Sequence, residues 1–132
     1  MKALILILAL LIPSLSYAAT LTWTDNANNE LGIIVKRKLT QFQPGTSVPV
    51  NVGSFAELVR LSQVDQVTYV DQSAVADINF DNEYCYMVTA WNLSNTGVIQ
   101  ESPNSNQVCI VIPRPVPPVV IPTSPSGLVV TP

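Results

Sequence analysis

The chain has 132 residues and a formal net charge of −3, with only 11% of its residues charged and no histidine. Soluble domains usually carry about 25% charged residues, and Lys36, Arg37 and Lys38 form the only basic cluster, which argues against a nucleic-acid-binding face. The absence of histidine removes Ser-His-Asp triads, Cys-His dyads and histidine metal sites, so the composition points to a β-rich scaffold and not to a catalyst or cofactor carrier.

Residues 1–18 read as a secretory signal. Met1-Lys2 is a minimal basic start, Ala3 to Ile12 is an unbroken apolar run, and Pro13 ends it. Ser16-Tyr17-Ala18 then places small residues at the two positions that a signal peptidase inspects. The apolar run is too short to span a membrane and no second run follows, so the sequence predicts an exported product without a membrane span.

Beyond residue 18 helical periodicity is hard to find and alternation is easy. Thr20 to Thr24 places Leu21 and Trp23 on one face, and Gly32 to Leu39 does the same for Ile33, Val35 and Arg37. Phe55 to Leu61, Val67 to Asp71, Asn82 to Asn92 and Asn106 to Ile112 are the remaining predicted strands. Between them lie Asp25 to Asn29, Pro44 to Ser47 and Asn92 to Asn106, all rich in turn formers. Six short strands separated in this way predict an all-β antiparallel sandwich over 19–112. In 113–125 six of thirteen residues are proline, which predicts a stiff polyproline II linker. Residues 126–132 are strand-like again, with Gly127, Leu128, Val129, Val130 and Thr131 as an orphan strand.

The run Leu21 to Asn26, followed by Asn29 to Val35, resembles strands B and C of a bacterial-type fibronectin type III domain. Thr68 to Asp71 is similar to its strand E, Tyr84 to Asn92 to its strand F, and Ser105 to Cys109 to the start of its strand G. The resemblance covers about residues 20–112 and implies an immunoglobulin-like sandwich. It implies that Trp23 is the large core residue of strand B. It also gives Tyr84 the tyrosine-corner position, where the hydroxyl bonds backbone near the loop between strands E and F. Period-two alternation independently puts Tyr84, Tyr86 and Val88 on one face, and the expected core is Leu21, Trp23, Ile33, Val35, Tyr69, Tyr84, Tyr86 and Val88. Trp91 falls on the opposite face, as a possible glycan- or protein-binding residue or as cross-strand packing.

A hairpin pairing Cys85 with Cys109 would centre on Gly97, inside the turn-rich Asn95-Thr96-Gly97. Alternation puts both cysteines on the outward face, so adjacent strands can present the two sulfurs to each other, and export supplies the oxidising compartment. A disulfide is expected. Asp77, Asp81 and Glu83 offer oxygen ligands but lack the central glycine of an EF-hand loop, and Asp25 and Glu30 flank an asparagine-rich turn with no cleft marked beside it. No catalytic residue and no metal site is expected. Asn92-Leu93-Ser94 is a glycosylation sequon without relevance in a bacterial setting.

A type III domain begins with strand A, yet Leu21 follows the expected cleavage site almost at once. A gap beside strand B is therefore expected, and Ser124 to Thr131 resembles the opening of a strand A. It could be donated to a neighbour, fold back on its own domain, stay disordered, or begin a further domain. About twelve polyproline residues reach roughly 37 Å, barely the length that folding back requires. Two function classes follow: a secreted structural subunit of an extracellular fibre or surface assembly, polymerising head to tail by strand donation, or a monomeric adhesion module for a glycan or surface protein. The expected partners are copies of the same chain or other surface proteins, at a bacterial cell surface.

Overall fold

The computed structural model describes residues 17–117 and 119–132, so nearly all of the expected signal segment lies outside the described residues. All regular structure among them is strand: β1 (Ala19–Thr22), β2 (Gly32–Phe42), β3 (Pro49–Val52), β4 (Ala56–Leu61), β5 (Thr68–Asp71), β6 (Asp81–Leu93), β7 (Ile99–Glu101) and β8 (Val108–Ile112). No helix among the described residues is long and apolar enough to cross a membrane.

The strands form an all-β antiparallel sandwich of two unequal sheets. The smaller sheet is β1 against β5, in register from Ala19 with Asp71 to Thr22 with Thr68. The larger is built on β2 and β6, paired along their whole length from Gly32 with Trp91 to Phe42 with Asp81. β3 and β4 share the far edge of β2, and β7 and β8 share the far edge of β6. β7 lies within the turn-rich stretch Asn92 to Asn106, and β3 follows the Pro44 to Ser47 turn where the sequence predicts no strand. Pro49 opens β3, and β7 is three residues long.

The β6–β7 hairpin turns on Gly97, whose φ of 79° is accessible to glycine at no steric cost. Pro103 has no N–H and interrupts the outer strand between β7 and β8. The ladder survives because the backbone N–H groups of Ser102 and Ser105 donate to the Ala90 and Val88 carbonyls, both at 2.9 Å. Their hydroxyls accept in return from the Ala90 and Val88 N–H groups at 3.0 and 2.9 Å.

Leu21, Ile33, Val35, Tyr84 and Tyr86 lie in the core between the sheets, with Ala19, Ala74 and Ile112; Trp23, Tyr69 and Val88 pack against it half-buried. The indole N–H of Trp23 donates to the Gln66 carbonyl at 2.8 Å. The Tyr84 hydroxyl donates to the Val75 carbonyl at 3.0 Å and accepts from the Val75 N–H at 3.2 Å, which fastens the loop between β5 and β6. A polar hub crosses the core. Asp71 of β5 is 1% exposed, and one of its oxygens accepts from Arg37 of β2 and from the Tyr86 hydroxyl of β6, both at 2.9 Å. Its other oxygen accepts from the Ser73 N–H at 3.0 Å and the Ser73 hydroxyl at 2.6 Å.

The outer face of the large sheet is less solvated than simple alternation implies. Ile34, Cys85 and Thr89 point away from the core, yet they are 1%, 1% and 2% exposed. Long side chains lie over this face: Lys36 pairs with Glu101 at 3.0 Å, Thr89 donates to the same carboxylate at 2.7 Å, and Lys38 sits 5.2 Å from the centre of the Phe55 ring. Cys85 and Cys109 face each other across one rung of β6 and β8 and form a disulfide. Cys109 is exposed, whereas Cys85 is covered, so only one of the two has the outward exposure read from alternation.

Candidate functional site: an open groove beside β1

β8 pairs Val108 with Tyr86 and Ile110 with Tyr84, so Val108 and Ile110 face inward with the core tyrosines. They are nevertheless 50% and 42% exposed. The small sheet stops short of them: β1 pairs with β5 on one edge, and among the described residues no strand pairs with its other edge. The sandwich is open on that side.

Two hollows occupy the opening. One of about 460 Å³ is lined by Leu21, Trp23, Tyr86, Val88 and Val108, with Ser105 and Asn106 at the rim. A smaller one of about 150 Å³ lies between Ala19 to Leu21 and Val108 to Ile110, sharing Leu21, Tyr86 and Val108 as walls. Unpaired β1 backbone on one side and apolar β8 side chains on the other suit an added strand with apolar residues on one face. The backbone would continue the small sheet, and alternate side chains would fill the hollows.

The C-terminal segment is apolar and forms no regular structure among the described residues. Residues 126–132, read from sequence as a strand, join no ladder among the described residues. Leu128, Val129 and Val130 are 100%, 76% and 93% exposed. The segment does not fold back onto β1. The start of the linker is fastened to the domain, because the Arg114 N–H donates to Asp81 at 2.7 Å while the other Asp81 oxygen accepts from the Gly45 N–H at 2.8 Å. These bonds, the one from Arg114 first, keep the Asp81 carboxyl below its ordinary pKa. Asp81 lies at the end of the sandwich where β8 finishes, since Ile112 pairs with Asn82.

Trp91, the other candidate contact residue, is half-buried on the outer face. Its indole N–H donates to the Leu61 carbonyl at 3.0 Å, and the Arg60 guanidinium lies 5.6 Å from the ring centre. Gly32 makes this close approach possible, because a Cβ there would run into the Leu61 carbonyl and reach 2.9 Å from the Trp91 indole nitrogen. Much of the ring's binding capacity is thus used within the domain. In the loop before β6, one Asp77 oxygen accepts from the Asn79 and Phe80 N–H groups at 2.7 and 3.2 Å, so that carboxylate serves the turn. Glu83 lies beside Cys85 and Cys109, but the disulfide takes both sulfurs away as metal ligands.

The sequence marks a gap beside β1 but not the β8 wall that faces it, because β1 and β8 are far apart in the chain. The period-two face of β8 was the available signal, since it sets Val108 and Ile110 on the core side with the β6 tyrosines. Compared with family models, curated proteins and solved structures, the chain has no match.

Proposed function

We propose that the protein is a fibronectin type III-like structural subunit of an extracellular assembly, in which residues 126–131 of one copy enter the β1 groove of the next. The observation that carries this reading is the presence of an open apolar groove and an exposed apolar C-terminal segment in the same chain. Val108 and Ile110 are inward-facing yet exposed, and Leu128 and Val130 are apolar residues at strand spacing with no cover. The type III assignment is supported by the Tyr84 bonds to Val75 and by the strand order, β1 with β5 against β2, β6 and β8. The disulfide fits an oxidising compartment outside the cytoplasm.

Donation to a neighbour also suits the linker. Its first residues are fastened beside Asp81, and a polyproline II segment resists the reversal that self-insertion demands. Each copy then offers a groove and a strand at different places, so the contact is heterologous and the assembly open-ended. Light scattering and negative-stain microscopy on the purified chain test this. Intact protein should form concentration-dependent linear oligomers, and a variant lacking 126–132 should be monomeric. An intact chain that stays monomeric at high concentration and binds a saturable glycan or surface protein would replace this reading with the adhesion module.

A further inference from the structure

The carboxyl groups of Asp25, Glu30 and Asp65 converge although they come from two different loops. One oxygen from each lies within 4.8 Å of the other two. Asp25 and Glu30 lie in the loop between β1 and β2, and Asp65 sits in the loop between β4 and β5. Glu30 is only 7% exposed, and its Oε2 is buried with no hydrogen-bond partner. Among the described residues every ion pair is made elsewhere, by Lys36, Arg37 and Arg60 with Glu101, Asp71 and Glu57. Three like charges at this separation repel, and a buried carboxylate oxygen without a donor is costly unless something neutralises it.

We propose that Asp25, Glu30 and Asp65 bind a calcium ion. The donor set is all oxygen, which suits a hard cation. One oxygen from each carboxylate already lies within 4.8 Å of the other two, so a small adjustment of loop side chains brings all three to the roughly 2.4 Å that calcium prefers. The buried Glu30 carboxylate reaches the cluster with an unpartnered oxygen, while Asp65 is exposed and leaves room for water ligands. Asp25 can contribute because its Asx bond to the Ala27 N–H, at 3.0 Å, occupies only one oxygen. The ion ties the loop before β2 to the loop before β5. The same two segments are already joined where Trp23 donates its backbone N–H to the Val67 carbonyl at 3.0 Å and its indole N–H to the Gln66 carbonyl. The site does not depend on strand donation.

The test is calcium titration of the purified full chain after chelator treatment, read by thermal melting and by terbium luminescence sensitised through Trp23. Calcium modules of the extracellular kind bind at about 10⁻⁴ to 10⁻³ M, so the titration runs to about 10 mM. At calcium ten times the Kd, the melting temperature should rise by about 5 °C. Asp65→Asn removes a ligand charge at a positive-φ position (φ 62°) that asparagine tolerates, so this variant should still fold. It should lose at least tenfold in calcium affinity, abolish the terbium signal, and melt no lower than the parent without calcium. Glu30→Gln should act in the same direction. A melting temperature indifferent to 10 mM calcium overturns the proposal. So does an equal rise with magnesium, or a calcium response that Asp65→Asn leaves intact.

Discussion

Asp71 carries more of the fold than its place at the end of a four-residue strand suggests. It joins β5 to β2 through Arg37 and to β6 through Tyr86, and so links the two sheets. Burial raises its carboxyl pKa, but hydrogen bonds from Ser73, Arg37 and Tyr86 outweigh that and leave it below the ordinary carboxylate value. A group whose folded pKa is depressed stabilises the fold above its unfolded pKa, near 3.9, and that contribution is lost as pH falls below it. Acid melts of the parent should therefore steepen below about pH 4, and those of Asp71→Asn should be flatter there. Burial first, then Asp71, pushes the Tyr86 hydroxyl pKa far above its ordinary value. That contribution is complete below about pH 10 and is lost as pH rises through the folded pKa. Asp71→Asn at neutral pH should cost about 3 kcal/mol in urea unfolding, since it strips Arg37 of its buried partner. A loss under about 1 kcal/mol would mean that the hub does not hold the sheets together. Trp23→Ala should also cost about 3 kcal/mol, the low end for emptying a large aromatic, because the ring is only half-buried.

Between elements, the contact most exposed to experiment is the disulfide that pins β8 to β6. It closes a loop of sequence separation 24, worth roughly 3 kcal/mol in the chain-entropy description. Reduction, or Cys109→Ala, should lower the melting temperature by more than 10 °C, and an unchanged melt would show that β8 stays in place without it. The long strands β2 and β6 were legible in the sequence because alternation over many residues is a strong signal, and both grow beyond the stretch read for them. β3 and β7 were not, because Pro49, Asn51 and the Asn-rich hairpin look like loop until a neighbouring strand supplies a ladder. Alternation also named the faces of β6 correctly but not their solvation. Thr89 and Cys85 are covered by neighbours on that face, and period-two counting contains no information about them. The carboxylate trio was invisible for a related reason: Asp65 is 35 residues from Glu30, and only the fold brings them together. Of the groove, the sequence revealed the uncovered strand and the spare segment, while the exposure of Val108 and Ile110 needed the assembled sheets.

At the scale of the whole molecule, the sandwich is open beside β1, and on the proposed function the C-terminal segment of another copy closes it. β1 is short, and the edge left unpaired among the described residues is the kind of surface that pairs with another chain unless something covers it. Removing 126–132 leaves the groove in place, so the shortened chain should be a less stable monomer. A peptide spanning Ser124 to Pro132 should raise its melting temperature in a concentration-dependent way, by mass action. Hydrogen–deuterium exchange on that shortened chain, with and without the peptide, tests strand donation most directly. The expected result is slowed exchange in Ala19–Thr22 and in Val108–Ile112 when the peptide is present, with the β2–β4 pair unaffected. Equal exchange of Ala19–Thr22 at saturating peptide would contradict the donation of a strand to β1.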